Sequence, residues 1–405
     1  MTSTTTSASG AAAGAGRAPR PEHVGAALFA LAVGGFTIGT TEFATMGLLP
    51  QIGADLGVSD PVVGHAITAY AVGVVVGAPL LTVAAARMSR KRLLLCLMGF
   101  YTVANVLSAA APGIESLVVG RFLAGLPHGA FFGVGAAVGA AVAGPGRRGH
   151  AVSMMMTGLT IANVVGVPLS TAVGQNLGWR AAFVVIGVLG LVTLLGIWRF
   201  VPEHGPVDSS VRQELGTLRN GPLWISFAAG AIGFGGLFAV YTYVAPTVTK
   251  VAGMPESAVP WVLAVFGVGM TVGTLLGGRL VDRNVLRTVI GGFVATALSL
   301  VLFALVGTSP VPAVLGLFAI AVTSQTLGLA MQTRLMDLSP RAQSLGAALC
   351  HSALNVGNAS GAFFGGLVIA AGYGYLAPAW VGLALTLVGL AMVLAFGRQR
   401  VTHAA

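Results

Sequence analysis

The chain has 405 residues, of which 56% are hydrophobic and 8% charged, and its mean hydropathy is +0.90. A soluble domain carries about 25% charged residues and needs a polar surface, so this composition excludes a soluble protein. The net charge of +10 would favour nucleic-acid binding in a soluble chain, but here the basic residues lie between apolar runs, so we expect no nucleic-acid partner.

Residues 1–22 are rich in Ser, Thr, Ala and Gly, a composition that cannot bury a core. The apolar run that begins at Val24 is long enough to cross a membrane and has no cleavage site after a short apolar region, so residues 1–22 do not resemble a signal peptide. We expect a disordered cytoplasmic tail.

Twelve apolar runs follow, each near the roughly 20 residues that a membrane-crossing helix needs. They predict an all-α polytopic membrane protein, with a six-helix bundle at 23–201, a cytoplasmic linker at 202–221, a second six-helix bundle at 222–397 and a cytoplasmic tail at 398–405. The predicted runs are 24–49, 61–86, 93–111, 116–143, 150–174, 180–201, 222–248, 258–281, 288–307, 312–334, 342–371 and 376–397.

Basic residues are divided unevenly between the loops. If the N-terminus is cytoplasmic, the outer loops hold only Arg180 and Lys250, and Arg121 lies within a run. Cytoplasmic loops are enriched in Lys and Arg, so we expect both termini in the cytoplasm and a multi-pass protein of the bacterial inner membrane. The inner loops hold Arg17, Arg20, Arg87, Arg90, Lys91, Arg92, Arg147, Arg148, Arg199, Arg212, Arg219, Arg279, Arg283, Arg287, Arg334, Arg341, Arg398 and Arg400.

The two halves of the chain contain an internal repeat. Residues 73–91 match residues 269–287 without gaps, and a weaker match pairs Asn163 with Asn355. Two parallel halves around a midplane site are the layout of many secondary transporters. The repeated glycines are expected to allow close contact between helices.

Three segments resemble signature motifs of the major facilitator superfamily: the basic loop 77–92, G-R-F-L-A-G at 120–125, and the Gly/Pro pattern of the fifth run. The segment G-T-T-E-F-A-T-M-G-L-L-P-Q-I-G-A-D-L (39–56) is similar to the twelve-span drug:proton antiporters, in the branch of sugar-efflux, arabinose-efflux-like and chloramphenicol-resistance exporters. The resemblance extends from about Val24 to Phe396. It implies a monomer that moves a small molecule through the lipid bilayer by alternating access, driven by protons.

The resemblance also implies gating residues, with two departures. The family's first loop motif normally has Asp and Gly where this chain has Ala86 and Ser89, whereas the second copy keeps Asp282. A charge latch between the halves would therefore need Asp282, and Pro168 is interpreted as either a gating bend or a fixed kink. The motif residues are Arg87, Arg90, Lys91, Arg92, Asp282, Arg283, Gly158, Gly166, Pro168 and Gly174.

Glu42 and Arg121 are the charged residues deep within the apolar runs, with His128 as a titratable third. Such residues are costly in a bilayer and usually functional. Glu42 lies seven residues before Leu49 and Arg121 five after Ser116, so both lie roughly 8–10 Å from the same face. We expect them to neutralise each other and to couple proton movement. The alternatives are a structural hydrogen bond for Glu42, a static ion pair for Arg121, and packing for His128.

Neutral polar and aromatic side chains in several runs are candidates for a substrate cavity. They suit an uncharged or weakly polar molecule better than a strong cation, because Glu42 is the only carboxylate expected within the membrane. For each one, packing between helices is the alternative. The candidates are Phe36, Thr40, His128, Tyr241, Tyr243, Gln325, Gln332 and Asn355.

Motifs of other functional classes are missing from the sequence. A phosphate-binding loop would end in Lys followed by Ser or Thr, but Lys91 and Lys250 are followed by Arg92 and Val251. H-E-x-x-H and G-x-S-x-G are absent. We therefore expect no enzyme activity, no cofactor and no metal. A permease subunit served by a separate ATPase is an alternative that the six-plus-six repeat disfavours.

The expected function is proton-coupled export of a small neutral or amphipathic drug. The alternatives, in order, are proton-coupled efflux of a sugar or nucleoside-like metabolite, and uptake by symport.

The predicted topology can be tested by labelling single cysteines in a variant that lacks Cys96 and Cys350. An impermeant maleimide added to intact cells should modify Ser59→Cys, in an outer loop, and should miss Ser209→Cys, in the linker. The reverse pattern would contradict the orientation.

Overall fold

The computed structural model describes residues 21–84, 88–144, 148–203, 219–340 and 343–396. All regular structure in these ranges is helical, and twelve of the helices are long and apolar enough to cross a membrane. The predicted all-α polytopic fold is therefore confirmed. Residues 1–20 of the predicted N-terminal tail, the predicted C-terminal tail and most of the predicted linker lie outside the described residues.

The twelve membrane-crossing helices are numbered here as spans one to twelve. Spans one to six are Pro21–Gly47, Asp60–Ala84, Arg90–Ala109, Ile114–Ala143, the continuous segments Arg148–Ile161, Ala162–Gly166 and Val167–Leu177, and Trp179–Phe200. Spans seven to twelve are Gly221–Tyr241, Val259–Arg283, Val285–Val306, Pro310–Asp337, Gln343–Ala370 and Ala377–Phe396.

Two predicted runs are less regular than expected. Span one ends at Gly47, and a separate short helix, Leu49–Leu56, follows it. Span seven is interrupted at Phe234, and after Tyr241 the chain continues through Val244–Pro246 into a π-helical turn at Thr247–Val251. Pro246 accounts for part of this irregularity, because proline has no backbone N–H to donate within a helix.

Close contacts between helices follow the sequence repeat. A Cβ atom added at Gly77 in span two would lie 2.0 Å from the carbonyl oxygen of Leu126 in span four. A Cβ atom at Gly273 in span eight would lie 2.4 Å from the carbonyl oxygen of Val322 in span ten. The same small-residue contact thus joins equivalent helices in both halves, which confirms the packing role predicted for these glycines.

The loops lie at two ends of the bundle. We call the end that carries Asp60 and Lys250 the Asp60 face, and the end at which span three begins the Arg90 face. The sequence predicts that the Asp60 face is extracellular and the Arg90 face cytoplasmic.

Polar contacts tie the two halves together at the Asp60 face. Lys250 Nζ, after span seven, donates to Asp60 Oδ2 of span two at 2.6 Å and to the Tyr375 hydroxyl at 3.1 Å. The Tyr375 hydroxyl also donates to Asp60 Oδ2 at 2.5 Å. Gln51 Nε2 donates to Glu256 Oε2 at 3.0 Å. These bonds close the Asp60 face across the boundary between the halves.

The environment of Lys250 keeps its ammonium charged. Desolvation opposes the charged form, but the hydrogen bonds to Asp60 and Tyr375 outweigh it and raise the pKa of Lys250. The Asp60 side chain is 7% exposed, so removing its charge leaves the Lys250 ammonium without its buried partner.

We predict that Asp60→Asn loosens the closed Asp60 face, because the amide cannot form the ion pair with Lys250. In membranes with this face exposed to an impermeant maleimide, the labelling rate of Met270→Cys in the cavity should rise several-fold. Asp55→Asn is the matched control, because Asp55 pairs with Arg180 within the first half. Equal rates in both backgrounds would contradict the prediction.

Candidate functional site

A cavity of about 150 Å³ lies between the two halves. Residues from spans one, four, five, seven, eight, ten and eleven line it. Six of the residues predicted from the sequence are in the wall: Glu42, His128, Tyr241, Gln325, Gln332 and Asn355.

Glu42 contributes a carboxyl group without a hydrogen-bond partner to the cavity wall. The residue is 8% exposed and lines the cavity. Its carboxyl group forms no hydrogen bond and no ion pair within 4.0 Å in the described part of the chain. The structure therefore offers no structural hydrogen bond for Glu42, and its carboxyl group is available to a proton or to a bound molecule.

Arg121 is fully buried beside this site but is not in direct contact with the Glu42 carboxylate. Arg121 Nη2 donates to the carbonyl oxygen of Thr41 at 2.9 Å. The guanidinium carbon lies 4.3 Å from the ring centroid of Tyr70 and 5.5 Å from that of Phe183. A cation over an aromatic face is stabilised by the ring quadrupole. Arg121 therefore contacts the residue before Glu42, but a direct Glu42–Arg121 ion pair is absent from the described residues.

The Arg121 side chain retains unused hydrogen-bonding capacity. Its Nε and Nη1 atoms are buried and have no hydrogen-bond partner among the described residues. The charge of Arg121 is nevertheless near enough to act on Glu42. Arg121 therefore acts on Glu42 without a direct ion pair among the described residues.

His128 connects the cavity wall to the aromatic ring beneath Arg121. Its Nδ1 atom is 2.9 Å from the hydroxyl of Tyr70, and its ring centroid is 5.2 Å from that of Phe132. His128 is 2% exposed and lines the cavity. Packing and cavity lining, the two alternatives from the sequence, are therefore both present.

Aromatic rings surround the Glu42 end of the cavity. Tyr241 stacks on Phe266 with ring centroids 4.1 Å apart and an interplanar angle of 13°. Phe43 meets Tyr241 edge to face at 5.6 Å. Such a wall binds flat apolar groups by stacking and edge contacts.

Three residues predicted for the cavity do not line it. Thr40 donates to the carbonyl oxygen of Phe36 at 2.8 Å, and both side chains pack against span five at Gly166. The Tyr243 hydroxyl donates to the carbonyl oxygen of Ala362 at 2.8 Å, and the residue is fully buried between helices. Phe36, Thr40 and Tyr243 therefore belong to the packing between helices.

His351 and Asn163 are among the cavity residues that were missed as site candidates in the sequence. His351 lies in span eleven and Asn163 in span five, and both line the cavity. A signal for each was present: a histidine within an apolar run is uncommon, and Asn163 is the repeat partner of Asn355.

Span five contains the predicted Gly/Pro motif and a change of helix type. The backbone forms a π-helical turn at Ala162–Gly166, where the Val167 N–H bonds to the carbonyl oxygen of Ala162, and Pro168 follows. Such turns occur often at functional sites. A Cβ atom added at Gly158 would lie 1.9 Å from the carbonyl oxygen of Ala32 in span one.

Span five also contacts both span one and span eight near this turn. Added Cβ atoms would lie 2.2 Å from Thr40 Oγ1 at Gly166 and 2.4 Å from Leu48 at Gly174. A Cβ atom on Gly267 of span eight would lie 2.3 Å from the carbonyl oxygen of Asn163. The motif therefore sits where spans one, five and eight meet.

The basic loop motifs lie at the Arg90 face. Arg87 lies outside the described residues, and Arg90, Lys91 and Arg92 begin span three. Asp282 and Arg283 end span eight, are exposed, and form no ion pair within the described ranges. A latch role for Asp282 remains a prediction.

The chain resembles known proteins over nearly its whole length. The family model described as Major Facilitator Superfamily matches residues 31–259 and 238–404. The inner membrane transport protein YdhP of Escherichia coli K12 is 36% identical, over 92% of this chain and 96% of the relative. A chloramphenicol resistance protein of Streptomyces lividans is 31% identical, over 93% and 97% of the two chains.

A sugar-transport relative and a solved structure extend this similarity. A probable sugar efflux transporter of Helicobacter acinonychis is 31% identical, over 90% of this chain and 93% of the relative. The solved structure of a D-xylose–proton symporter has a TM-score of 0.74 at 16% identity, over 91% and 97% of the chains. The likeness to the symporter structure supports the assignment of the fold.

Proposed function

The chain belongs to the major facilitator superfamily, whose members are transporters rather than enzymes, and we propose that it is a proton-coupled exporter of a small neutral or amphipathic drug-like compound of the chloramphenicol type. The observation that carries the proposal is the Glu42 carboxyl group, which lines a cavity between the halves and has no protein partner in the described chain. We place the protein in the bacterial inner membrane, with both termini in the cytoplasm.

Glu42 provides a route for proton coupling. When the cavity opens to the Asp60 face, water delivers a proton to the carboxylate, and the neutral acid no longer interacts with the Arg121 charge. When the cavity opens to the Arg90 face, the proton leaves to water and Arg121 again stabilises the carboxylate. A substrate that binds in the second state and leaves in the first is exported as one proton enters.

The membrane potential supplies enough energy for useful export. One elementary charge that crosses the membrane releases about 2.3 kcal/mol per 100 mV. About 1.4 kcal/mol corresponds to a tenfold concentration ratio. At 100 mV, one proton per cycle therefore supports roughly a fifty-fold concentration gradient of a neutral substrate. The pH gradient adds to this value.

The cavity wall supports an uncharged or amphipathic substrate. Tyr241 and Phe266 offer aromatic surface, and Gln325, Gln332 and Asn355 offer neutral hydrogen-bonding groups. The relative named as a chloramphenicol resistance protein supports a drug of this kind.

Efflux of a sugar or nucleoside-like metabolite is the second candidate. The neutral amides of the wall suit hydroxyl groups, and one relative is named as a probable sugar efflux transporter. Uptake by proton symport is the third candidate.

Expression in a drug-sensitive bacterial host should lower the accumulation of labelled chloramphenicol relative to an empty vector. A protonophore should restore accumulation, whereas ATP depletion with the proton gradient maintained should not, because the chain has no phosphate-binding loop. Faster loss of a labelled pentose or nucleoside, with unchanged accumulation of a drug panel, would favour metabolite efflux. Energy-dependent accumulation above the control would indicate uptake.

Glu42→Gln should leave the protein folded but abolish substrate accumulation in inverted vesicles with an imposed pH gradient, because an amide cannot release a proton. Substrate exchange without a gradient should persist. Glu115→Gln, at an exposed position in the first turn of span four, is the matched control and should transport normally. A Glu42→Gln variant that still builds a gradient at wild-type abundance would refute the coupling role.

A further inference from the structure

The two ends of the cavity have different chemistry. Arg121 and His128 lie seven residues apart on span four, which corresponds to roughly 10 Å along the helix axis. Phe266 is seven residues into span eight from the Asp60 face, so the aromatic wall shares the depth of Arg121. His128 lies farther from the Asp60 face.

Two imidazoles from opposite halves lie beside the same phenylalanine ring at the His128 end. His128 belongs to span four and His351 to span eleven, and the ring of Phe132 lies near both. The centroid of Phe132 is 5.2 Å from that of His128 and 6.0 Å from that of His351, with a 9° interplanar angle to the latter. Phe132 thereby holds the His351 ring at the cavity wall.

Several hydrogen-bonding atoms at this end have no partner. His128 uses Nδ1 for the contact with Tyr70, and its other ring nitrogen forms no hydrogen bond in the described residues. Neither ring nitrogen of His351 forms one there. Asn355 donates to the carbonyl oxygen of His351 at 3.0 Å, while its Oδ1 atom is buried and unpaired.

Asn355 Oδ1 is fully buried, and a buried acceptor without a partner destabilises the protein unless a ligand or water bonds to it. His351 is partly buried and lines the cavity. A neutral imidazole has one donor and one acceptor nitrogen, and an amide oxygen accepts. Together these atoms match the hydroxyl, carbonyl and amide groups of a neutral molecule.

We propose that His128 and His351 form a hydrogen-bonding subsite that selects substrates in which hydroxyl or amide groups extend from an aromatic ring. The inference rests on the proposed function and specifies its substrate class: molecules whose ring occupies the wall formed by Phe43, Tyr241 and Phe266 and whose polar groups bond to His128 and His351. The subsite makes the cavity discriminate between ring compounds that carry such polar groups and ring compounds that lack them.

The test measures binding rather than transport, so it does not depend on proton coupling. Chloramphenicol and 4-nitrotoluene share a nitrophenyl ring, but only chloramphenicol carries the diol and amide. Their affinities are measured on the purified full-length protein by displacement of labelled chloramphenicol. His351→Phe retains an aromatic ring against Phe132 and removes both nitrogens, whereas His351→Gln retains an amide donor and acceptor.

We expect His351→Phe to weaken chloramphenicol binding about tenfold and to leave 4-nitrotoluene binding within twofold of wild type. His351→Gln should recover part of the loss. His65→Phe is the matched control, because His65 is exposed on span two and does not line the cavity.

The binding measurements distinguish failure of the His128–His351 subsite from failure of the proposed export function. An equal loss for both ligands, or no loss for chloramphenicol in a folded His351→Phe protein, would overturn the subsite and leave proton-coupled export intact. If wild type binds neither ligand, both the chloramphenicol-type substrate and the subsite built on it are wrong.

Discussion

The cost of burying charge in a membrane determines the organisation of the site. Arg121 meets that cost with the face of Tyr70 and the carbonyl oxygen of Thr41, so it does not require a permanent ion pair. Glu42, the residue after Thr41, has no such arrangement and lines the cavity instead. A charge that is stabilised by fixed groups can remain in place while a nearby acid gains and loses a proton.

The same membrane environment explains how the helices pack. Apolar side chains are as stable in lipid as they are between helices, so the hydrophobic effect does not drive the helices together. Close packing must therefore hold them together. Gly77 and Gly273 bring helix backbones together within each half, and Gly267 brings span eight against span five across the boundary between the halves. The contacts within each half are therefore repeated, whereas the contact at Gly267 joins the two halves.

The sequence was sufficient for the fold and for part of the cavity wall. Span number and the repeat follow from apolar length and glycine spacing, and Glu42 follows from the rarity of charge in such runs. The side of a helix that faces the cavity was harder to predict, because lipid-facing and protein-facing sides are both apolar. Positions 241 and 243 in one α-helix would point about 200° apart, so a regular span could direct only one of these tyrosines to the cavity.

The position of Tyr70 has a consequence for the effect of substitutions around the cavity. One phenol ring lies over Arg121 and bonds to His128, so changes at either residue are epistatic with changes at Tyr70. His351 has no side-chain hydrogen bond to another described residue. A substitution at His351 therefore removes no side-chain hydrogen bond among the described residues, whereas a substitution at Tyr70 removes contacts of both Arg121 and His128.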